Sequence, residues 1–163
     1  MDRRLWLVGL LGWGSLLSSW GDSLAIAEPE KAALTIVTRK DSALDGLTIR
    51  ELKRAYLGER VQGPDGTLIV PFNHGSSSPE RVAFERIVLG MSADELGRFW
   101  IDRKIRGQPG GPKSVPSAEL LRRVVATVPG AITYFAKTEL GADLKVVAID
   151  GKRPGHPDYP LAY

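Results

Sequence analysis

The chain contains no cysteine and only two histidines, and its charges nearly cancel. Without a thiol there is no thiolate nucleophile, no zinc–thiolate centre, no iron–sulfur cluster and no disulfide framework. His74 and His156 stand far apart, and neither is spaced like a metal ligand, so no metal site is expected. The 22 basic and 19 acidic residues leave a net charge of +3. That is too mild for the basic stripe of a nucleic-acid-binding domain, and no nucleic-acid partner is expected. Lys104, Arg106 and Lys113 are spaced too openly, with no interleaved aromatics, to change this reading. What is present is ordinary: 163 residues, 43% hydrophobic and 25% charged, which excludes a disordered or fibrous chain.

Residues 1–27 read as an export signal. Arg3 and Arg4 precede an apolar run from Leu5 to Leu17, and the small-x-small triplet Ala25-Ile26-Ala27 follows after polar residues. The run is short for crossing a bilayer, so no stable membrane insertion is expected once the signal is cleaved. Retention as an N-terminal anchor is the competing reading. Cleavage after Ala27 would leave residues 28–163 as one domain, periplasmic or secreted, with Trp100 as its one tryptophan.

Past the leader, strand and helix signals alternate. Leu34–Thr38 is a β-branched run that predicts a buried strand. Thr48 and Glu51 form a capping box, with Leu47 and Leu52 at the staple positions and Gly58 placed to end the helix. Pro64-Asp65-Gly66 predicts a turn, and Leu68–Phe72 a second strand. Ser78-Pro79 opens a second helix, with Phe84, Ile87 and Val88 as its buried stripe and Gly90 as its stop. Ser92 and Glu95 form another capping box, stapled by Met91 and Leu96, and Phe99 and Trp100 continue that helix inward.

Gly107–Pro116 holds three prolines and three glycines, which predicts irregular backbone. Ser117 caps a fourth helix with apolar Leu120, Leu121, Val124, Val125 and Val128, stopped by Pro129-Gly130. Ala131–Phe135 and Leu144–Ile149 are further strands, and Asp150–Tyr163 is a Pro-containing tail expected to wrap the surface. The alternation argues an α/β sheet flanked by helices.

The loop His74-Gly75-Ser76-Ser77-Ser78-Pro79 follows a strand and feeds a helix start. Backbone N–H groups and serine hydroxyls there suit a small anion, with His74 or Arg81 supplying positive charge. Equally, Ser78 serves as a plain helix cap. A serine/histidine nucleophile is not supported, because the G-x-S-x-G elbow is absent and no acid is placed to orient the imidazole. No enzyme activity and no cofactor are expected.

Read in order, several segments resemble phosphate-type ABC-transporter substrate-binding proteins. Leu47-Thr48-Ile49-Arg50-Glu51-Leu52 through Tyr56-Leu57-Gly58 is similar to the family's L-T-x-x-E-L-x-x-I-F-x-G segment. Ile69–Asn73, then Ser78 and Arg81-Val82-Ala83-Phe84, resemble its strand, serine loop and R-x-A-F helix. Pro129–Tyr134 resembles P-G-A-I-G-Y, Val146–Gly151 the I-D-G end, and Tyr159-Pro160-Leu161 the Y-P-L close. The resemblance spans about residues 34 to 161 and implies a single lobe of a type II periplasmic-binding-protein fold, a central mixed sheet flanked by helices.

It also implies binding of phosphate or a related small anion at His74, Gly75, Ser76, Ser77, Ser78 and Arg81, in support of ABC transport or sensing. Against the family's N-R-x-x-G-S-G-T-R loop, Ser78 falls on the binding serine. His74 stands where the family has arginine, Pro79 where it has glycine and Glu80 where it has threonine. A lone lobe cannot enclose an anion between two faces, so binding should be weak unless an envelope protein or a second copy closes it. Pro79 and Glu80 favour an alternative, a cell-envelope interaction module that has lost its ligand.

Overall fold

A computed structural model of the chain describes residues 32–136 and 141–163. The expected signal at 1–27 lies outside the described residues. Strand β1 (Leu34–Arg39) is buried along nearly its whole length. It pairs antiparallel with β5 (Ala131–Ala136) on one side and with β6 (Leu144–Val146) on the other. Strand β3 (Val70–His74) lies parallel to β5 and to β4 (Lys113–Val115), giving a mixed sheet in the order β4-β3-β5-β1-β6. A small parallel pair joins β2 (Gly46–Leu47) to β7 (Ala148–Ile149).

The period of two along the central strands divides the core. Leu34, Ile36, Ile132 and Tyr134 face a layer containing α1 (Ile49–Tyr56), α2 (Pro79–Phe84) and α3 (Ala93–Ile105). Val37, Ala131 and Phe135 face α4 (Ala118–Thr127), through its Leu121 and Val125. The helix starts follow the sequence signals. Thr48/Glu51 and Ser92/Glu95 form reciprocal capping boxes, and Ser78 and Ser117 each accept a backbone N–H from the first turn of their helices.

Five details depart from the sequence reading. The second strand starts two residues later and runs to His74, because Val61, Gly63, Thr67 and Ile69 close a hairpin around the Pro64–Gly66 turn. The Gly/Pro segment is not wholly irregular. Pro112 and Pro116 bracket three residues whose register against Phe72–His74 makes them an edge strand. Leu144–Ile149 is two strands: at Val147 the chain leaves β1 and turns to β2. The second helix passes into a π-helical turn at Glu85–Leu89, and the extra residue turns Leu89 inward with Val88 while Ile87 is only half-buried. Leu120 stays 47% exposed on α4.

The tail does more than wrap. Tyr159 and Leu161 are buried, the Tyr159 hydroxyl donates to Leu34 O at 2.9 Å, and Leu34 N donates to Leu161 O at 3.0 Å. Burial pushes the Tyr159 hydroxyl up to about 12, and burial also raises Tyr56 and Tyr134 well above the ordinary tyrosine value. All three favour the neutral form in the folded state. Their stabilisation is therefore complete below the unfolded tyrosine pKa and is lost as pH rises toward their folded values. An alkaline spectrophotometric titration should show these phenols ionising together with loss of circular dichroism rather than before it.

Gly130 shows why the fourth helix must stop where it does. Its φ is +72°, and a Cβ there would sit 2.0 Å from Leu68 O. Gly66 has a similar φ of +78° but open space around it. Gly66→Ala should cost about 1–2 kcal/mol from backbone strain alone. Gly130→Ala should cost about 3–5 kcal/mol, since the hairpin backbone must also move. Urea unfolding of the two variants checks the difference.

Candidate functional site

The serine loop sits at the carboxyl end of β3. In open α/β sheets this is where ligands are met, because the strand ends and helix starts turn their backbone donors the same way. Ser78 N donates to Gly75 O at 3.1 Å, closing the turn. Ser76 and Ser77 lie exposed at its tip and Gly75 is half-buried. Ser78 caps α2 by accepting from Arg81 N at 3.3 Å, and its own hydroxyl donates to Glu80 Oε2 at 2.5 Å.

His74 is buried, and its ring packs against Tyr134 and Phe135 with centroids 5.1 and 5.2 Å away. Its Nε2 lies 2.6 Å from Tyr134 O and donates there, since a carbonyl can only accept. The imidazole is thus engaged with β5, while the His74 carbonyl faces the helix and accepts from Arg81 Nη1 at 3.1 Å.

Arg81 holds the site together. Besides His74 O, its guanidinium donates to Glu85 Oε1 at 2.7 Å and to Ser114 Oγ at 2.9 Å. One side chain thereby joins α2, the π-helical turn, the end of β3 and the edge strand β4. Beneath it, the Tyr134 hydroxyl donates to buried Asn73 Oδ1 at 3.1 Å, and Phe84 stacks on Tyr134 at 4.1 Å.

The structure brings all six expected residues into one place. It also adds Asn73, Glu80, Glu85, Ser114 and Tyr134. Glu85 was visible as an i+4 acid to Arg81. Ser114 was not, because its position depends on β4, which the glycines and prolines concealed.

The local charge balance differs from a plain cationic cradle. Arg81 is neutralised by Glu85, and Glu80 brings a carboxylate to the Ser78 hydroxyl. Burial opposes Glu80 ionisation. Hydrogen bonds from Ser78 and from its own backbone N–H outweigh it, with a contribution from His74, and the carboxyl is held below its usual range. The Ser76 and Ser77 hydroxyls have no partner among the described residues. Among the described residues no group of His, Cys, Asp and Glu could hold a metal. None of them forms a helix long and apolar enough to cross a membrane.

A concavity lies at the other end of β3. This cleft of about 730 Å³ is lined by Leu68, Val70, Pro71 and Val128 and by the loop Pro109–Pro112. None of the sequence-predicted site residues lines it.

No family model and no curated protein matches the chain. Solved structures do. A Clostridium perfringens protein described as a phosphate ABC transporter substrate-binding protein, with bound phosphate, shares 21% identity at a TM-score of 0.60, over 76% of this chain and 48% of that one. An ABC-type phosphate transport receptor from Vibrio cholerae shares 17% identity at 0.61, with the same coverages of 76% and 48%. PstS from Borrelia burgdorferi shares 20% identity at 0.59, over 81% of this chain and 55% of that one. The chain thus has the fold of one lobe of phosphate-type substrate-binding proteins, and spans about half the length of those it matches.

Removing Arg81 should expose how much the site depends on it. Arg81→Met strands Glu85, which is largely buried, and should cost about 2–4 kcal/mol. The double variant Arg81→Met/Glu85→Gln should recover at least half of that in chemical denaturation. Glu80 carries a separate acid dependence. Its folded pKa is depressed, so its stabilisation is complete above the ordinary carboxylate range and is lost as pH falls through the lowered value. Glu80→Gln should flatten the acid limb of the stability profile.

Proposed function

We propose that the chain is an exported substrate-binding lobe that contacts phosphate or a related small anion through Gly75–Ser78, in support of ABC transport or sensing. The observation that carries this reading is the serine turn at the carboxyl end of β3, capping α2 in a lobe folded like those of phosphate-binding proteins. The Ser76 and Ser77 hydroxyls would meet the anion directly. Ser78 would do so after exchanging its bond to Glu80. Arg81 would act by holding the loop's frame and by lending residual positive charge beyond its pairing with Glu85. His74, engaged with Tyr134 O, would brace the strand end. No step of this role calls for catalysis or a cofactor. Export would rest on signal cleavage after Ala27, placing the domain in the periplasm or outside the cell.

Affinity should be low. One lobe supplies one face, and Glu80 competes for the same hydroxyl that an anion would use. The Glu80–Ser78 bond and the Arg81–Glu85 pair also support the second reading, in which the lobe is an envelope interaction module without a small ligand, closed by a protein partner or a second copy.

Calorimetric titration with phosphate and with sulfate separates the two. Anion binding predicts weak heat at millimolar ligand, lost in Ser78→Ala and strengthened about tenfold in Glu80→Gln, which corresponds to about 1.4 kcal/mol. Absence of heat in both the natural chain and Glu80→Gln would sink the anion reading and leave the interaction module.

A further inference from the structure

Helix α3 turns Leu96, Phe99 and Trp100 toward the core and, among the described residues, leaves an exposed stripe along its flank. At the 100° spacing of a helix, that stripe carries Asp94, Gly97, Ile101, Lys104 and Ile105, with Arg98 at its rim, all exposed. Ile101 is 61% and Ile105 79% exposed, one turn apart, whereas most other large aliphatic side chains among the described residues are inside.

Gly97 is the telling residue. A glycine in a helix interior costs stability relative to alanine. Nothing among the described residues requires it here. It lies outside the left-handed region, and a Cβ would meet nothing within 4 Å. A missing side chain on an exposed helix face, one turn before an exposed isoleucine, suits the close approach of another helix. The charges on the same face are separated by sign, Asp94 near the start and Lys104 near the end. Neither side chain has a hydrogen bond or ion pair among the described residues.

We propose that this face docks a second copy of the chain, α3 against α3, antiparallel about a two-fold axis. In that register Ile101 enters the gap at the partner copy's Gly97, and the reverse contact repeats it, as a self-complementary interface requires. Asp94 faces Lys104 of the other copy twice. Parallel pairing would set Asp94 against Asp94 and Lys104 against Lys104, so the charge layout selects the antiparallel arrangement. Ile105 then covers the first turn of the opposing helix at Ala93. A single helix pair is smaller than a standard protein interface, so the association is concentration-dependent and weak.

Sedimentation velocity of the full chain from about 10 μM to about 1 mM tests this over the range in which a small interface acts. The expected result is a monomer–dimer equilibrium that Ile101→Lys abolishes and that Asp94→Lys or Lys104→Asp weakens at least tenfold. The swap Asp94→Lys/Lys104→Asp should restore most of the association. Each reversal also opposes the helix dipole, so a thermal scan should fall further in the swap even as its dimer returns. That split separates pairing from a general loss of helix. A chain that stays monomeric throughout would overturn the proposal. So would a dimer indifferent to the single reversals, or a swap no better than its parts.

Discussion

The guanidinium of Arg81 is the constraint on which the serine loop depends. Three acceptors from different parts of the chain converge on it: the Glu85 carboxylate, the His74 carbonyl and the Ser114 hydroxyl. A planar donor fork can serve all three at once, whereas a lysine would offer a point charge with no fixed directions. The edge strand β4 is only three residues long. Through Ser114 it is fastened to the same helix that the loop introduces. The helix start, the strand end and the sheet edge are thus held as one unit, and the turn between Gly75 and Ser78 is suspended from it.

This unit is already electrically satisfied. A binding site for a free anion usually leaves donors waiting. Here the Ser78 hydroxyl and the Glu80 N–H are taken up by the chain's own carboxylate, and the nearby guanidinium is paired. An anion reaching the Ser78 hydroxyl must therefore exchange with Glu80, while the Ser76 and Ser77 hydroxyls stand open at the tip of the turn. The same arrangement makes the loop rigid and nearly neutral, as a surface that meets another protein can be.

Much of the architecture was legible in local chemistry. The capping boxes at Thr48 and Ser92, the Ser78-Pro79 start and the left-handed glycines at 58, 90 and 130 all stand where their residue types demanded. What escaped local reading required long-range pairing. Lys113–Val115 is a strand only because Phe72–His74 offers it a free edge, and Leu144–Ile149 divides because β2 waits beyond Val147. At the candidate site, His74–Ser78 were legible as a run, with Arg81 on the helix beyond. Their true partners were not, because Tyr134 and Ser114 reach the loop through strand order rather than sequence distance. The role of His74 changed for the same reason: its neighbour in β5 exposes a carbonyl that the imidazole takes.

Trp100 lies against the glycine-rich connection so closely that a Cβ on Gly111 would fall 2.8 Å from its indole. Arg103 covers the same ring and donates to Pro109 O. A Cβ on Gly58 would lie 3.6 Å from it as well. In a chain cleaved after Ala27 that indole would be the one tryptophan, and so an optical gauge. Its emission should track whether the connection between α3 and β4 is seated, and with it the edge strand that carries Ser114 toward Arg81.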